Sequence, residues 1–238
     1  MIFAKMSSLP PSRFFPPAEI ADSEGVVGFG GKLTPEWLLD AYQHGIFPWP
    51  TGDPSLPVPW CSPDPRAIFE LNRFHVPRRL GQTCRSGKFR VTWDSDFSGV
   101  IRGCATCGAR RGQTWLTTPM IRAYTRLFEL GHCHSVEVWH EDQLAGGTYG
   151  LAIGGLFAAE SMFYRVRDAS KVALVHLVGR LRQRGYALMD IQQLTPHTAQ
   201  FGAIEIPRAE YLRRLAEAHG AHVTFGDRGE ETLQSARN

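Results

Sequence analysis

Long apolar runs are missing from this 238-residue chain: no stretch approaches the ~20 consecutive apolar residues that a membrane-spanning helix needs. The N-terminal MIFAKMSSLPPSRFFPP is broken by prolines where a signal peptide requires an uninterrupted apolar core, so a cytoplasmic protein without membrane association is expected. Cysteine is scarce too. The five present are odd in number and irregularly spaced, which argues against a disulfide framework. Cys104-Ala-Thr-Cys107 is half of a zinc site, but no second pair follows and His132-Cys133-His134 lacks a standard ligand spacing. Reduced thiols and no metal are expected. The common catalytic signatures are also absent: without GxSxG, HExxH or GxGxxG, serine hydrolases, zincins and dinucleotide dehydrogenases lose their usual evidence. The glycine-rich VVGFGGKL lacks the glycine spacing of a phosphate loop before Gly31-Lys32, and Leu33 stands where Ser or Thr would bind magnesium. No cofactor is implied.

Acidic residues are missing from one more place. Between Leu71 and Thr92 lie Arg73, Arg78, Arg79, Arg85, Lys88 and Arg90 with no carboxylate among them. The formal charge of +3 therefore conceals a local patch, the rest of the chain being near −3. A phosphate backbone selects such a patch, and so does an ordinary solvated surface. The remaining composition, 43% hydrophobic and 21% charged, is that of a globular protein large enough to bury a core.

Thr34-Pro35 opens a helix over WLLDAYQH and Gly45 closes it. From Ile46 to Arg66, seven prolines are interleaved with Phe47, Trp49 and Trp60, which makes an ordered loop carrying aromatic rings, for packing or for stacking on a base. FRVTW reads as a strand and 97–107 as a weak helix. A helix with Thr118 as cap and Pro119 in its first turn follows, then strands at HSVEVW, LAGGTYGLAIG and LFAAESMF. Pro207 starts a last helix, AHVTF reads as a final strand, and 226–238 as a frayed tail.

The chain is organised around 156–192. Its order is an apolar run, the polar loop YRVRDASK, an apolar-faced segment, Gly185 and a second apolar run, which describes strand, loop, helix and strand, one crossover unit. Ser170 is the expected cap and Gly185 the stop, with Leu174, Leu177, Val178 and Leu181 on one helix face. Each strand carries one carboxylate in an apolar setting, Glu160 and Asp190, where a charge must be paired or used. Structural carboxylates bonded to backbone amides are the alternative. The element order matches the GNAT acyltransferase layout, whose phosphate-binding loop carries glycines; YRVRDASK has none, and offers a helix N-terminus with Arg165, Arg167 and Lys171.

GFGGKLTPEWLLDAYQHGIFPW, WCSPDPRAI, TWLTTPMIRAYTRLFELGHCHSVEVW, GGTYGLAIGGLFAAESMFYRVRDASKVAL and DIQQLTPHTAQFGAIEIPR, between about residues 14 and 215, resemble the leucyl/phenylalanyl-tRNA-protein transferases. The resemblance implies an α+β chain, with a small N-terminal α/β domain over 1–66 and a GNAT-like domain over 67–238 whose mixed sheet is flanked by helices. It implies transfer of leucine or phenylalanine, with methionine left open, from aminoacyl-tRNA, and a monomer is expected. The acceptor is a protein beginning with Arg or Lys, which is thereby marked for N-end rule degradation.

An aminoacyl ester is already activated, so such an enzyme needs to orient an amine, remove its proton and stabilise an oxyanion rather than supply a nucleophile. Asp190 with Gln192, on the same strand face, is the expected proton-handling pair, in agreement with the role proposed for the family's DxQ motif; Glu160 is expected to hold the acceptor's amine or cationic side chain. Phe157, Met162, Leu174, Leu177 and Leu181 are the candidate pocket for the transferred side chain, and would equally be core. Trp49 and Trp115 match family positions around the terminal adenosine. Arg73, Arg78, Arg79, Arg85 and Lys88, with Arg165 and Lys171, would follow the tRNA backbone. Lys32, Gln113 and Tyr164 depart from the family pattern, and Tyr164 borders the expected site. An acetyl-CoA-dependent N-acetyltransferase and a non-catalytic RNA-binding module are the rival readings.

Overall fold

The structure, a computed structural model, describes residues 9–53, 55–107 and 115–230. Gln113 and the tail beyond residue 230 lie outside the described residues. Near the N-terminus, β1 (Val26–Phe29), β2 (Phe47–Pro48) and β3 (Pro59–Cys61) form a small antiparallel sheet in the order β1-β3-β2. Helix α1 (Pro35–Gln43) lies between the first two, started by Thr34 and Pro35 and followed by Gly45 in the left-handed region at φ 74°. A β-carbon there would also come within 2.6 Å of Leu212, so two constraints ask for glycine.

The second sheet has eight strands. These are β4 (Arg66–Phe69), β5 (Arg90–Trp93), β6 (Cys133–His140), β7 (Gln143–Ile153), β8 (Leu156–Tyr164), β9 (Leu188–Gln192), β10 (Ile204–Ile206) and β11 (Gly229–Glu230). Their spatial order is β10-β4-β9-β8-β7-β6-β5-β11. Every neighbouring pair is antiparallel except β8 and β9, which α5 (Ala169–Arg184) joins as a parallel crossover. Glu141 and Asp142, both left-handed, make the tight turn between β6 and β7.

The sheet has a core on each face because its strands alternate with period two: Leu156 and Ala158 face one cluster, Phe157 the other. On the first face lie α1, α3 (Phe97–Thr106), α4 (Thr118–Glu129) and α7 (Arg208–His219). On the second lie α2 (Arg78–Arg85) and α5. A short α6 (Pro196–Ala199) follows β9. The buried stripe of α4 is Met120, Ala123, Tyr124 and Leu127, and that of α1 is Leu38, Ala41 and Tyr42, helical spacing in both cases. A fully buried leucine such as Leu127 contributes about 2 kcal/mol relative to exposure.

Four local expectations are corrected. The α5 cap is Asp168, left-handed at φ 73°, and Ser170 sits buried in the first turn. The α4 cap is Thr117, one residue early. Residues 221–225 form no strand; Phe225 anchors them by stacking on His134 and Phe157. Within the stretch expected to fray, Gly229 and Glu230 pair with Trp93 and Thr92. A two-residue strand has no periodicity of its own, so only the exposed edge of β5 could specify it.

Candidate active site

The parallel strands β8 and β9 pair at Leu156 with Leu188, Phe157 with Met189 and Ala158 with Asp190, and there the pairing ends. Beyond it a cleft of about 510 Å3 lies between residues 159–162 of β8 and 191–193 at the end of β9, a size suited to a small ligand or the end of a larger one. Both strands carry an extra residue at this point. On β8, Ala159 and Ser161 oppose the consecutive Gly150 and Tyr149, so Glu160 is the bulge; on β9, Ile191 is the extra residue against Ile68 and Ala67. A bulge bends its strand and re-aims side chains, which is how two paired strands come apart and turn Glu160 and Gln192 into the gap.

Glu160 is the one carboxylate among the described residues lining the cleft. Two tyrosines from the core stripes reach it: Tyr42 donates to Oε1 at 2.7 Å and Tyr124 to Oε2 at 2.9 Å, while the two phenol oxygens are 2.5 Å apart. Burial pushes the Glu160 carboxyl up to about 7; the two phenols act against this and the charge of Asp190 adds to it. Burial, and then the charge of Glu160, hold both phenols well above the usual tyrosine range.

Asp190 has no solvent exposure and does not line the cleft. Arg66, itself buried, grips it from two nitrogens, Nε to Oδ1 at 2.9 Å and Nη2 to Oδ2 at 2.6 Å. Tyr211 also donates to Oδ2 at 3.0 Å, and the Gln192 amide N–H donates to Oδ1 at 2.9 Å. The Arg66 guanidinium is stacked between the rings of Phe47 and Tyr211, 4.6 and 4.4 Å from their centroids. Both Asp190 oxygens are thus engaged by buried donors, one of them the N–H of Gln192, whose backbone is left-handed at φ 58°. The Gln192 amide is best satisfied with its nitrogen donating to the carbonyls of Ile191 and Ala159, both at 3.0 Å, against a single contact of 3.5 Å to Glu160 Oε1 in the opposite orientation. Its oxygen then faces Glu160.

Trp49, Trp115, Met162 and Leu174 line the same cleft, as do Gln192 and Glu160. Phe157, Leu177 and Leu181 do not. Phe157 points to the opposite face of β8, packing on Tyr186 and Phe225, and Leu177 and Leu181 lie one and two turns further along α5 in the closed core. Helical spacing put the three leucines on one face, but only the first turns of α5 reach the gap. Arg73, Arg78, Arg79, Arg85 and Lys88 are all exposed, and α2 packs on α5, whose Ser170 and Leu174 line the cleft. Among the described residues no carboxylate lies within ion-pair distance of Arg78, Arg79, Arg85 or Lys88, whereas Arg73 pairs with Glu70. Lys171 pairs with Asp168, and Arg165 donates to the Leu144 carbonyl. Cys104 is buried and Cys107 half-buried, and the described residues contain no cluster of three or more potential metal ligands.

Sequence reasoning missed Arg66, Tyr211, Tyr42 and Tyr124. Arg66 stood in plain view in WCSPDPR, and an arginine followed by the apolar Ala67, Ile68 and Phe69 was the available signal. The tyrosines gave none, because they occupy core positions of ordinary amphipathic helices.

Helices on both faces of a mixed sheet, with a mostly apolar cleft where two parallel strands part, define an α+β fold with a ligand-sized cleft at the strand ends. The family model for leucyl/phenylalanyl-tRNA protein transferase matches residues 68–216, and that for its N-terminal domain residues 31–64. The leucyl/phenylalanyl-tRNA–protein transferase of Magnetococcus marinus is 50% identical over 89% of this chain and 91% of its own length. Those of Stutzerimonas stutzeri and Thiobacillus denitrificans are 52% and 48% identical, over 85% and 87% of this chain and 89% and 90% of theirs. The chain belongs to the leucyl/phenylalanyl-tRNA–protein transferase family and is an aminoacyltransferase. No described helix is long and apolar enough to cross a membrane.

Proposed function

We propose that this enzyme transfers leucine or phenylalanine, with methionine as a further donor, from aminoacyl-tRNA to the α-amine of proteins that begin with Arg or Lys, and so tags them for degradation. The observation that carries the reading is the cleft itself: two tryptophans and apolar side chains for an aminoacyl-adenosine and, among the described residues, a single carboxylate, Glu160, for the acceptor's α-ammonium group. Trp49 and Trp115 stack on the terminal adenosine and Met162 and Leu174 receive the transferred side chain. The exposed cations of α2 and its flanks follow the tRNA backbone without reading its sequence.

The chemistry asks little of the protein. An N-terminal amine has a pKa of about 7.8, so roughly a tenth is neutral at pH 7, and the acyl carbon is already an ester. Orientation is then the main requirement. The Gln192 amide oxygen accepts a hydrogen bond from the amine and aims its lone pair, while the carbonyls of Ile191 and Ala159 hold that side-chain amide and Asp190, paired with Arg66, holds the Gln192 backbone N–H.

Labelled leucyl-tRNA incubated with a peptide beginning Arg or Lys tests the reading. Label in the peptide is expected; none in the peptide, or acetylation from acetyl-CoA without tRNA, refutes it.

A further inference from the structure

We propose that Tyr42, Tyr124 and Glu160 work as one proton acceptor: Glu160 takes a proton from the α-ammonium group of the incoming polypeptide, and the phenols are positioning residues that close a hydrogen-bonded ring around it. This rests on the aminoacyl-transfer reading above.

Hydrogen counting carries the inference. Three oxygen contacts join the side chains, Tyr42 to Tyr124 at 2.5 Å, Tyr42 to Glu160 Oε1 at 2.7 Å and Tyr124 to Glu160 Oε2 at 2.9 Å. Each hydrogen bond needs one hydrogen, and two phenols bring only two. With the carboxylate ionised, both phenols donate to it and nothing lies between the two phenol oxygens. With the carboxyl protonated, three hydrogens serve three contacts: Tyr124 donates to Tyr42, Tyr42 to Oε1, and Glu160 from Oε2 to Tyr124. Gln192 points the same way. Its better-bonded orientation sets an amide oxygen 3.5 Å from Glu160 Oε1, and a neutral carboxyl takes the negative charge out of that meeting of two acceptors.

Neighbouring groups leave this role to Glu160. Asp190 of β9 is committed to Arg66 of β4 and Tyr211 of α7. The Cys133 thiol of β6 is held well above its usual range by burial and by the charge of Glu160. Tyr149 of β7 meets Tyr124 edge-on at 5.6 Å, and His197 of α6, on the cleft wall, is pushed down by burial and by Lys171. A carboxyl near 7 is matched to an α-amine of about 7.8, so the proton passes with little cost in either direction.

The step balances. One proton leaves the ammonium group for the Glu160 carboxylate, and the freed amine attacks the ester carbonyl carbon to form the C–N bond. The C–O bond to the tRNA ribose breaks, and the second amine proton leaves with that oxygen as a hydroxyl. Glu160 then returns its proton to solvent.

The test is the pH dependence of kcat/KM for transfer to Arg-initiated peptide and to its neutral analogue with N-terminal citrulline. The native enzyme is expected to lose activity below an acid limb near 7 with both peptides. Glu160→Gln keeps the shape of the neutral ring, so it should fold; it is expected to move the limb up to that of the free amine, about 7.8, and to lose about a hundredfold in kcat while keeping the native preference for arginine over citrulline. Tyr42→Phe with Tyr124→Phe is expected to move the limb upward, because the carboxylate loses both donors. In the infrared, a carboxylic acid band that titrates near 7 should disappear in Glu160→Gln. If Glu160→Gln instead abolishes the arginine preference, or leaves the limb and the band in place, the inference is overturned; absence of transfer by the native enzyme would overturn the functional reading instead.

Discussion

Replacing Arg66 by methionine leaves the Asp190 carboxylate in a site with no access to water and only two donors, the Tyr211 hydroxyl and the Gln192 N–H. Breaking one side of a buried ion pair costs about 3–5 kcal/mol, and the lost stacking on Phe47 and Tyr211 adds about 1 kcal/mol or more. The total, about 4–6 kcal/mol, is a large share of the ~5–15 kcal/mol that holds a typical domain together. Adding Asp190→Leu removes the stranded charge, so the double variant should return to within about 2 kcal/mol of the native protein. Its activity should not return, because the Gln192 N–H has lost the acceptor that holds its left-handed backbone. Urea unfolding followed by the fluorescence of the six tryptophans measures the first quantity and leucine transfer the second. A loss below about 1 kcal/mol for Arg66→Met, or full transfer by the double variant, would refute the assignment of this pair as the holder of Gln192.

Glu160 ties stability to pH. Folding raises its carboxyl from the usual 4.5 to about 7, so the native state keeps a proton that the unfolded chain gives up; this stabilisation is complete below 4.5 and is lost as pH rises through 7. At most about 3 kcal/mol is involved, and urea titrations across that window should be flatter for Glu160→Gln than for the native protein; parallel curves would contradict the raised value. Leu177→Ala should cost about 2–5 kcal/mol without altering preference among donors, whereas Leu174→Ala should also raise the donor KM; a selectivity change in Leu177→Ala would return that residue to the pocket. Charge reversal at Arg78, Arg79 and Arg85 should weaken tRNA binding and lower its salt slope by about 2 or more, and binding unchanged across a salt series would make that face ordinary surface.

The crossover unit was legible from the sequence because its cues are local: two apolar runs, a helix stripe and a glycine stop decide β8, α5 and β9 without reference to anything distant. The aromatic loop, the solvent-facing basic run and the family signature were legible for the same reason. Depth was not. Periodicity assigns a residue to a face, but whether Asp190 meets water or Arg66 depends on a partner 124 positions away. Tyr42 and Glu160 meet across 118 positions, and Tyr42 and Tyr124 across 82. Leu174 and Leu181 share one helical stripe, yet only Leu174 borders the cleft, because the bulges at Glu160 and Ile191 part the strands over the first turns of α5 alone. A bulge is a mismatch between two strands, so neither sequence announces it. The elements and their order came from the chain itself; which carboxylate lines the cleft and which one lies buried against Arg66 was decided only when those strands were set side by side.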